Sequence, residues 1–307
     1  MIKYLLCFIL FLNVGVINAQ SVHMVDPLDN MRILKPDIVG FAGSEPIDQR
    51  GVEFAKYLSA SVKIDVSAGS GSGTIVYYDP QKNLAYVASC GHLWNHGVFT
   101  QEQAEKNPLY CKVTMWWQNG KKLPTPKSYN ARVQFYSYLP GQDTSLLTFT
   151  PDFTPTYFPI APANYQYKPG KHAHSLGCDG GREVAHYDIR IVGLSGTPPL
   201  EGWTYDPTKD GIDLVTEENS PRPGRSGGGL MDDSGYYIAT CVATEYRNGT
   251  GRGYFTCLQT IHNFWKQQKN FSFLLDIHLG VAKDIPIKNR KGSKDIVDSS
   301  YILLPEG

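Results

Sequence analysis

From residue 60 onward apolar and polar residues fall into a strand-like pattern, after a stretch, 20–60, with few periodic signals. In residues 60–66, Val62, Ile64 and Val66 fall on one side and Ser61, Lys63 and Asp65 on the other, the pattern of a half-buried strand. A glycine-serine run, Gly69-Ser70-Gly71-Ser72-Gly73, leads into Thr74-Ile75-Val76-Tyr77-Tyr78, whose β-branched and aromatic residues suit a pleated surface. A turn over 79–83 gives on to Leu84-Ala85-Tyr86-Val87-Ala88-Ser89, a second strand that ends at Cys90-Gly91-His92. Further strands are predicted over 109–117, 131–138, 145–149, 171–176, 183–194, 212–215, 228–231, 236–246 and 253–257. Residues 151–169, rich in Pro, Thr and Tyr, read as a linker between two halves. Helical spacing occurs at Val52, Phe54, Ala55 and Leu58, enough for a turn or two. It recurs at Leu258, Ile261, Phe264 and Trp265, with Thr260 as the expected N-cap. Regular strands without intervening helices predict an all-β sandwich or barrel architecture and not βαβ units.

Composition narrows this picture. A chain of 307 residues is long enough for one large all-β domain or two barrels with a substantial core. Lys+Arg and Asp+Glu both number 29, so the net charge is zero, which argues against bulk binding to nucleic acid or anionic membrane. Lys3, the apolar run 4–12 and the small-residue site Ile17-Asn18-Ala19 predict an export signal cleaved after Ala19. That run is short for a bilayer span, and no later segment is apolar enough for one. The expected location is therefore secreted or periplasmic. With the signal gone, Cys90, Cys111, Cys178, Cys241 and Cys257 remain, an odd number, so at least one stays free or bonds another chain. None has C-x-x-C spacing, which argues against a zinc or redox motif. No metal and no cofactor is expected.

Candidate chemistry centres on the stretch from Asn219 to Asp233, in which Gly224-Arg225-Ser226 is followed by Gly227, Gly228 and Gly229. Glycines on both sides let such a loop expose one hydroxyl and turn its own N–H groups toward a common point. Acyl transfer needs that combination, a nucleophile beside donors for a developing oxyanion. Taken alone, the stretch fits a glycine-rich hairpin with an incidental serine equally well. A serine also needs a base, and the base an orienting carboxylate. His92 ends a hydrophobic strand in a small-residue corner, and Asp143 heads Asp143-Thr144-Ser145-Leu146-Leu147-Thr148-Phe149 at the edge of another.

At these residues the chain resembles the trypsin-like serine peptidases. That family shows the order His, Asp, Ser, a Gly-Ser-Gly strand early in the first barrel, a small-residue corner before the His, an Asp-x-x-hydrophobic strand and Gly-x-Ser-Gly-Gly. The matching segments here are Gly71-Ser72-Gly73-Thr74-Ile75-Val76, residues 88–92, residues 143–147 and residues 224–228. The resemblance covers about residues 60–268. It implies two antiparallel six-stranded β-barrels with a short C-terminal helix. The implied division is signal 1–19, N-terminal arm 20–60, peptidase domain 61–268 (barrels about 61–150 and 165–260) and tail 269–307.

By the same resemblance Ser226 is the expected nucleophile, His92 the base, Asp143 its orienting partner, and the N–H groups of Gly224 and Ser226 the oxyanion hole. The implied reaction is endopeptidase cleavage of a protein or peptide through an acyl-enzyme. A non-catalytic binding protein on the same fold and an esterase using the same triad are the alternatives. Several departures bear on this. Arg225 stands where animal digestive members carry the acid that captures a newly cut N-terminus, which implies a bacterial-type enzyme active without that step. Glycine replaces the usual proline at Gly229. Cys90 precedes the histidine by two residues instead of following it directly. The implied specificity pocket lies between residues 219–225 and the strand carrying Ala243, Thr244 and Glu245, with Ser220 near its base. A neutral Ser220 implies small or apolar side chains. No peptide-recognition module is visible after residue 270, and the oligomeric state is not indicated.

Other signals are weaker. His172-x-His174 puts two imidazoles on one strand face, but no neighbouring carboxylate or cysteine in the sequence completes a metal site. His96 lies one helical turn from His92. Cys241 and Cys257 are expected across a hairpin as two buried thiols. Trp116-Trp117 reads as packing, and Asn248-Gly249-Thr250 and Asn270-Phe271-Ser272 are glycosylation sequons.

Overall fold

The structure is a computed structural model that describes residues 52–94, 97–139, 141–196, 212–247 and 250–277. The expected signal, residues 20–51 of the arm, His96, Asn248 and Gly249 of one sequon, and tail residues 278–307 lie outside the described residues. A helix α1 (Val52–Ser59) precedes β1 (Ser61–Val66), β2 (Gly69–Asp79), β3 (Leu84–Ser89), β4 (Gly97–Phe99), helix α2 (Gln101–Lys106), β5 (Leu109–Gln118), β6 (Lys121–Leu139) and β7 (Gln142–Phe149). The second half holds β8 (His172–Gly177), β9 (Ala185–Gly196), β10 (Ile212–Glu217), β11 (Gly229–Met231), β12 (Tyr237–Arg247), β13 (Thr250–Cys257) and helix α3 (Leu258–Trp265).

Both halves close into six-stranded antiparallel barrels. The first runs β1-β2-β3-β7-β6-β5 and back to β1, with β4 paired on the outside of β6. Closure depends on the length of β6: its early residues pair with β5, its later ones with β7, and the register shifts between Val133 and Phe135. A bulge of this kind bends a strand enough to serve two walls. The second barrel runs β8-β9-β10-β13-β12-β11 and back to β8. Inward residues such as Val62, Ile64, Ile75, Val87, Val113, Val133 and Leu147 are fully buried, as the period-two pattern requires.

The expected linker is packed structure. Phe158, Ile160 and Ala161 are buried, Phe158 N–H donates to Ile75 O and Ala161 N–H to Tyr237 O, so the segment joins both barrels. Its prolines make it irregular, and its aromatics bury it. Helix α3 begins at Leu258 with Cys257 as N-cap, so Thr260 is in the first turn and not the cap. The reason is that β13 runs directly into the helix, and the Leu258 N–H is taken by Tyr167 Oη at 2.8 Å. Helix α3 then crosses to the first barrel, where Trp265 is fully buried 5.4 Å from the Phe135 ring and donates to Thr144 Oγ1 at 3.1 Å. After it, Leu274, Leu275 and Ile277 are also buried, so the start of the expected tail belongs to the core. Among the described residues no helix is long and apolar enough to cross a membrane.

Trp265 ties the end of the second barrel to the wall of the first. Trp265→Ala is expected to cost about 3–5 kcal/mol, read as a lower urea midpoint, and Trp265→Phe clearly less. A Trp265→Ala protein with an unchanged midpoint would show that α3 is dispensable to the core.

Candidate active site

At the end of β3 the chain turns sharply through Cys90-Gly91-His92. A Cβ on Gly91 would lie 1.9 Å from the Ser137 carbonyl oxygen, so only glycine fits the turn. The turn is fastened by Asp143, the second residue of β7. Its Oδ1 accepts from Gly91 N–H at 2.5 Å and His92 N–H at 2.9 Å, while its Oδ2 pairs with His92 Nδ1 at 2.6 Å. One carboxylate thus positions both the backbone and the ring. With Nδ1–H donating to it, the neutral ring carries its free lone pair on Nε2. Burial works against charge on His92, yet the Asp143 carboxylate, its hydrogen bond and Cys90 hold the pKa well above the ordinary 6.5. The Tyr138 ring flanks the imidazole at 5.9 Å.

The serine loop is held as firmly. Gly224 and Gly227 adopt φ of 93° and 85°, where a side chain would be strained. Pro223 O accepts from Gly180 N–H at 2.6 Å, Arg225 N–H donates to Arg222 O, Gly227 N–H to Cys241 O, and Gly228 N–H to Arg225 O. Among the described residues, no acceptor takes the N–H of Gly224 or of Ser226. Ser72 on β2 connects the loop to the first barrel: its N–H donates to Ser226 O at 2.7 Å, its hydroxyl donates to Gly224 O at 2.7 Å and accepts from Cys178 N–H at 2.8 Å. Its own carbonyl takes the Ser89 hydroxyl at 2.7 Å. Thr74 Oγ1 accepts from Gly229 N–H at 2.9 Å, and Thr256 Oγ1 donates to Asp143 O at 2.7 Å.

Arg225 is fully buried. Its Nε and Nη2 grip Asp179 Oδ1 and Oδ2 at 2.8 and 2.7 Å, Nη1 donates to Asn219 O at 2.8 Å, and the guanidinium lies 3.4 Å from the centre of the Tyr187 ring. Burial alone would push its pKa down, but the Asp179 carboxylate outweighs it and the cation is retained. Asp179 stands in the tight turn between β8 and β9, so the residue preceding Ser226 is clamped from the body of the second barrel.

The structure brings His92, Asp143 and the serine loop to the junction of the barrels. A Cβ on Gly227 would meet Ser89 Oγ at 2.1 Å and Cys90 N at 3.1 Å, so the loop abuts the strand end that carries His92. Among the described residues, Ser226 Oγ makes no hydrogen bond to His92. The ring instead has Nε2 3.6 Å from Cys90 Sγ. Hydrogen bonds of this kind often tighten only once substrate is present. Ser220 follows β10, half-buried, and Ala243, Thr244 and Glu245 lie on β12, where Thr244 pairs with Gly253. A Cβ on Gly253 would be 2.7 Å from Pro221, so the two expected pocket walls are neighbours. A cavity of about 490 Å³ lies elsewhere, lined by Tyr165, Tyr167, Pro169, Leu194, Leu258 and Gln259. Neither the imidazole nor the serine lines it, and the chemistry places the site with those residues.

A double barrel with a His–Asp pair on the first half and a glycine-bound serine on the second is the trypsin-like architecture. No protein-family model and no curated protein sequence matches the chain. Among solved structures, it is similar to the active form of the Rv3671c protease from M. tuberculosis, with a TM-score of 0.49 and 18% identity over 77% of this chain and 92% of that one. It is similar also to Deg5 (0.47 and 19%, over 71% and 92%) and to the MamO protease domain from Magnetospirillum magneticum (0.44 and 17%, over 69% and 98%). These likenesses are distant, and the site stands on its own geometry.

Some expectations change in three dimensions. His172 and His174 do have carboxylates nearby: Asp188 lies 3.1 Å from His172 Nδ1, and Asp233 lies 3.1 Å from His174 Nε2. Strand pairing and a distant turn bring these acids in, which sequence neighbourhood does not show. His174 Nδ1 faces His186 at 2.9 Å, so its two nitrogens serve different partners in a relay and do not converge on one point. Cys241 pairs with Phe255 and Cys257 with Ala239, two positions out of register with each other, and both are buried and in no disulfide. Nothing local in the sequence marks Asp179 or Ser72 as site-forming residues. A charged Arg225 inside a glycine loop was the signal that a buried acid had to meet it, though nothing singled out which.

Asp179→Ala strands a fully buried guanidinium and is expected to cost about 3–5 kcal/mol. Arg225→Met is expected to cost less, because the Asp179 side chain, 14% exposed, still reaches water. Urea denaturation of both variants measures the difference. A loss below about 1 kcal/mol for Asp179→Ala would mean that the pair does not hold the loop.

Proposed function

We propose that the chain is an exported serine endopeptidase that cleaves protein or peptide substrates through an acyl-enzyme. Ser226 Oγ attacks the scissile carbonyl and His92 Nε2 takes its proton. The carbonyl oxygen, now an oxyanion, lies toward the N–H groups of Gly224 and Ser226. The tetrahedral intermediate collapses as His92 protonates the leaving amine, and water repeats the sequence in reverse to free the acid. The observation that carries this reading is the 2.6 Å bond from His92 Nδ1 to Asp143 Oδ2, which fixes the tautomer a general base needs. The uncommitted N–H groups of Gly224 and Ser226 support it, since one such donor is worth about 3 kcal/mol in a transition state.

Specificity follows from Ser220 and the Ala243–Thr244 strand. Ser220, Ala243 and Thr244 are uncharged, Glu245 on the same strand is taken as a solvated rim charge, and small or apolar side chains are the expected preference. Export is proposed from the first 19 residues.

Ser226→Ala and His92→Ala are expected to fold normally and to lower kcat/KM for a peptide by several orders of magnitude. A fluorophosphonate should label wild type and not Ser226→Ala. Folded wild type that takes no label would point to a binding protein, and turnover of esters without casein to an esterase. The pH profile has a definite sign. His92 works as the neutral ring, and its pKa is raised, so activity appears as pH rises through a midpoint above 6.5. Asp143→Asn should move that midpoint down and cut kcat by about three to four orders of magnitude. A midpoint at or below 6.5 in the wild type would contradict the role given to Asp143.

A further inference from the structure

The mechanism leaves one group at the site without a task. Cys90 is fully buried and free, and its Sγ lies 3.6 Å from His92 Nε2, the nitrogen that has to receive the serine proton. Tetrahedral zinc takes sulfur at about 2.3 Å and imidazole nitrogen at about 2.0–2.1 Å, which separates the two donors by about 3.5 Å. The sulfur and nitrogen are therefore already spaced as one edge of a coordination tetrahedron. Cys90, His92 and Asp143 have their donor atoms within 4.8 Å of one another. Asp143 is spent on His92 Nδ1, and a carboxylate on the far nitrogen is the arrangement that orients a ligating imidazole and makes it a better donor. His92 and Asp143 side chains are 15% and 16% exposed, which gives an ion a way in from the cleft.

We propose that Cys90 Sγ and His92 Nε2 form a chelating site for a thiophilic divalent cation, Zn(II) or Cd(II), and that its occupancy blocks catalysis. The cation displaces the thiol proton to solvent and forms one bond to the thiolate and one to the Nε2 lone pair, with water on its remaining positions. The lone pair so occupied is the one that removes the proton from Ser226. The inhibition rests on the proposed function, whereas the binding does not.

The other described thiols are less suited. Burial pushes Cys111 and Cys178 up to about 12, and neither sulfur is paired with an imidazole. Cys90 is raised by burial as well, but His92 opposes that rise.

Full-length protein, with Cys7→Ser in every variant so that this further thiol adds no band, is titrated with CdCl2 and tests the binding through the ultraviolet thiolate-to-cadmium charge-transfer band. The band should saturate at one equivalent in wild type and in Ser226→Ala. It should disappear in Cys90→Ser and Cys90→Ala, with circular dichroism confirming their fold, and require at least tenfold more cadmium in His92→Ala. No band in wild type, or a band unchanged in Cys90→Ser, overturns the site. A band unaffected by His92→Ala overturns the chelate. In a peptidase assay, ZnCl2 should inhibit wild type reversibly by EDTA, and Cys90→Ser should be at least tenfold less sensitive; equal sensitivity overturns the inhibitory role. A wild type that binds cadmium and hydrolyses no peptide sinks the peptidase reading and leaves the metal site standing.

Discussion

The geometry of the site depends on a single buried ion pair. Arg225 and Asp179 are joined by two hydrogen bonds, and the residue they immobilise is the one before Ser226. A glycine-rich loop has little side chain with which to anchor itself, and its backbone has many conformations to lose. The guanidinium supplies an anchor that reaches the turn between β8 and β9. A buried pair is stable only where the leftover donors are satisfied, and here the Asn219 carbonyl and the Tyr187 face do that. Both charges belong to the folded body of the second barrel. Ser72 fixes the same loop from the first barrel, so the two halves of the site are set by one strand and one turn.

The imidazole sits between two possible partners for its outer nitrogen. Asp143 determines the tautomer and the ring plane, and Cys90 stands close to the lone pair that Ser226 has to reach. A thiol is a weak hydrogen-bonding group, so it competes poorly with a hydroxyl brought up by a bound substrate. It competes well when a soft cation replaces its proton. The same residue is thus nearly silent in one chemical setting and decisive in another.

Much of this was legible in the sequence, for physical reasons. Alternation or short apolar, β-branched runs marked nearly every strand, and 84–89 agrees with β3 in both bounds because this strand, buried on both faces, is a short apolar run bounded by turns. The ends of β6 were missed since its first half is polar and half exposed, with pairing supplied by β5 and not by its own side chains. The three-residue β4 carries too few residues for a period. Helix α2, absent from the expected elements, does carry a readable signal, a Thr100 and Gln103 capping box. His92, Asp143 and Ser226 stood out because special turns surround them. Asp179, Ser72 and Thr256 did not, because a residue that holds a site from another strand leaves no local mark. Their roles exist only through barrel closure.

The cysteines carry a last consequence. All five in the described residues are reduced and buried, and the register of β12 and β13 keeps Cys241 and Cys257 apart. Among the described residues no disulfide limits the unfolded chain, so the closure of both barrels rests on packing and strand pairing. Folding of the described residues therefore makes no demand on an oxidising catalyst, and among them there is no disulfide that glutathione could undo.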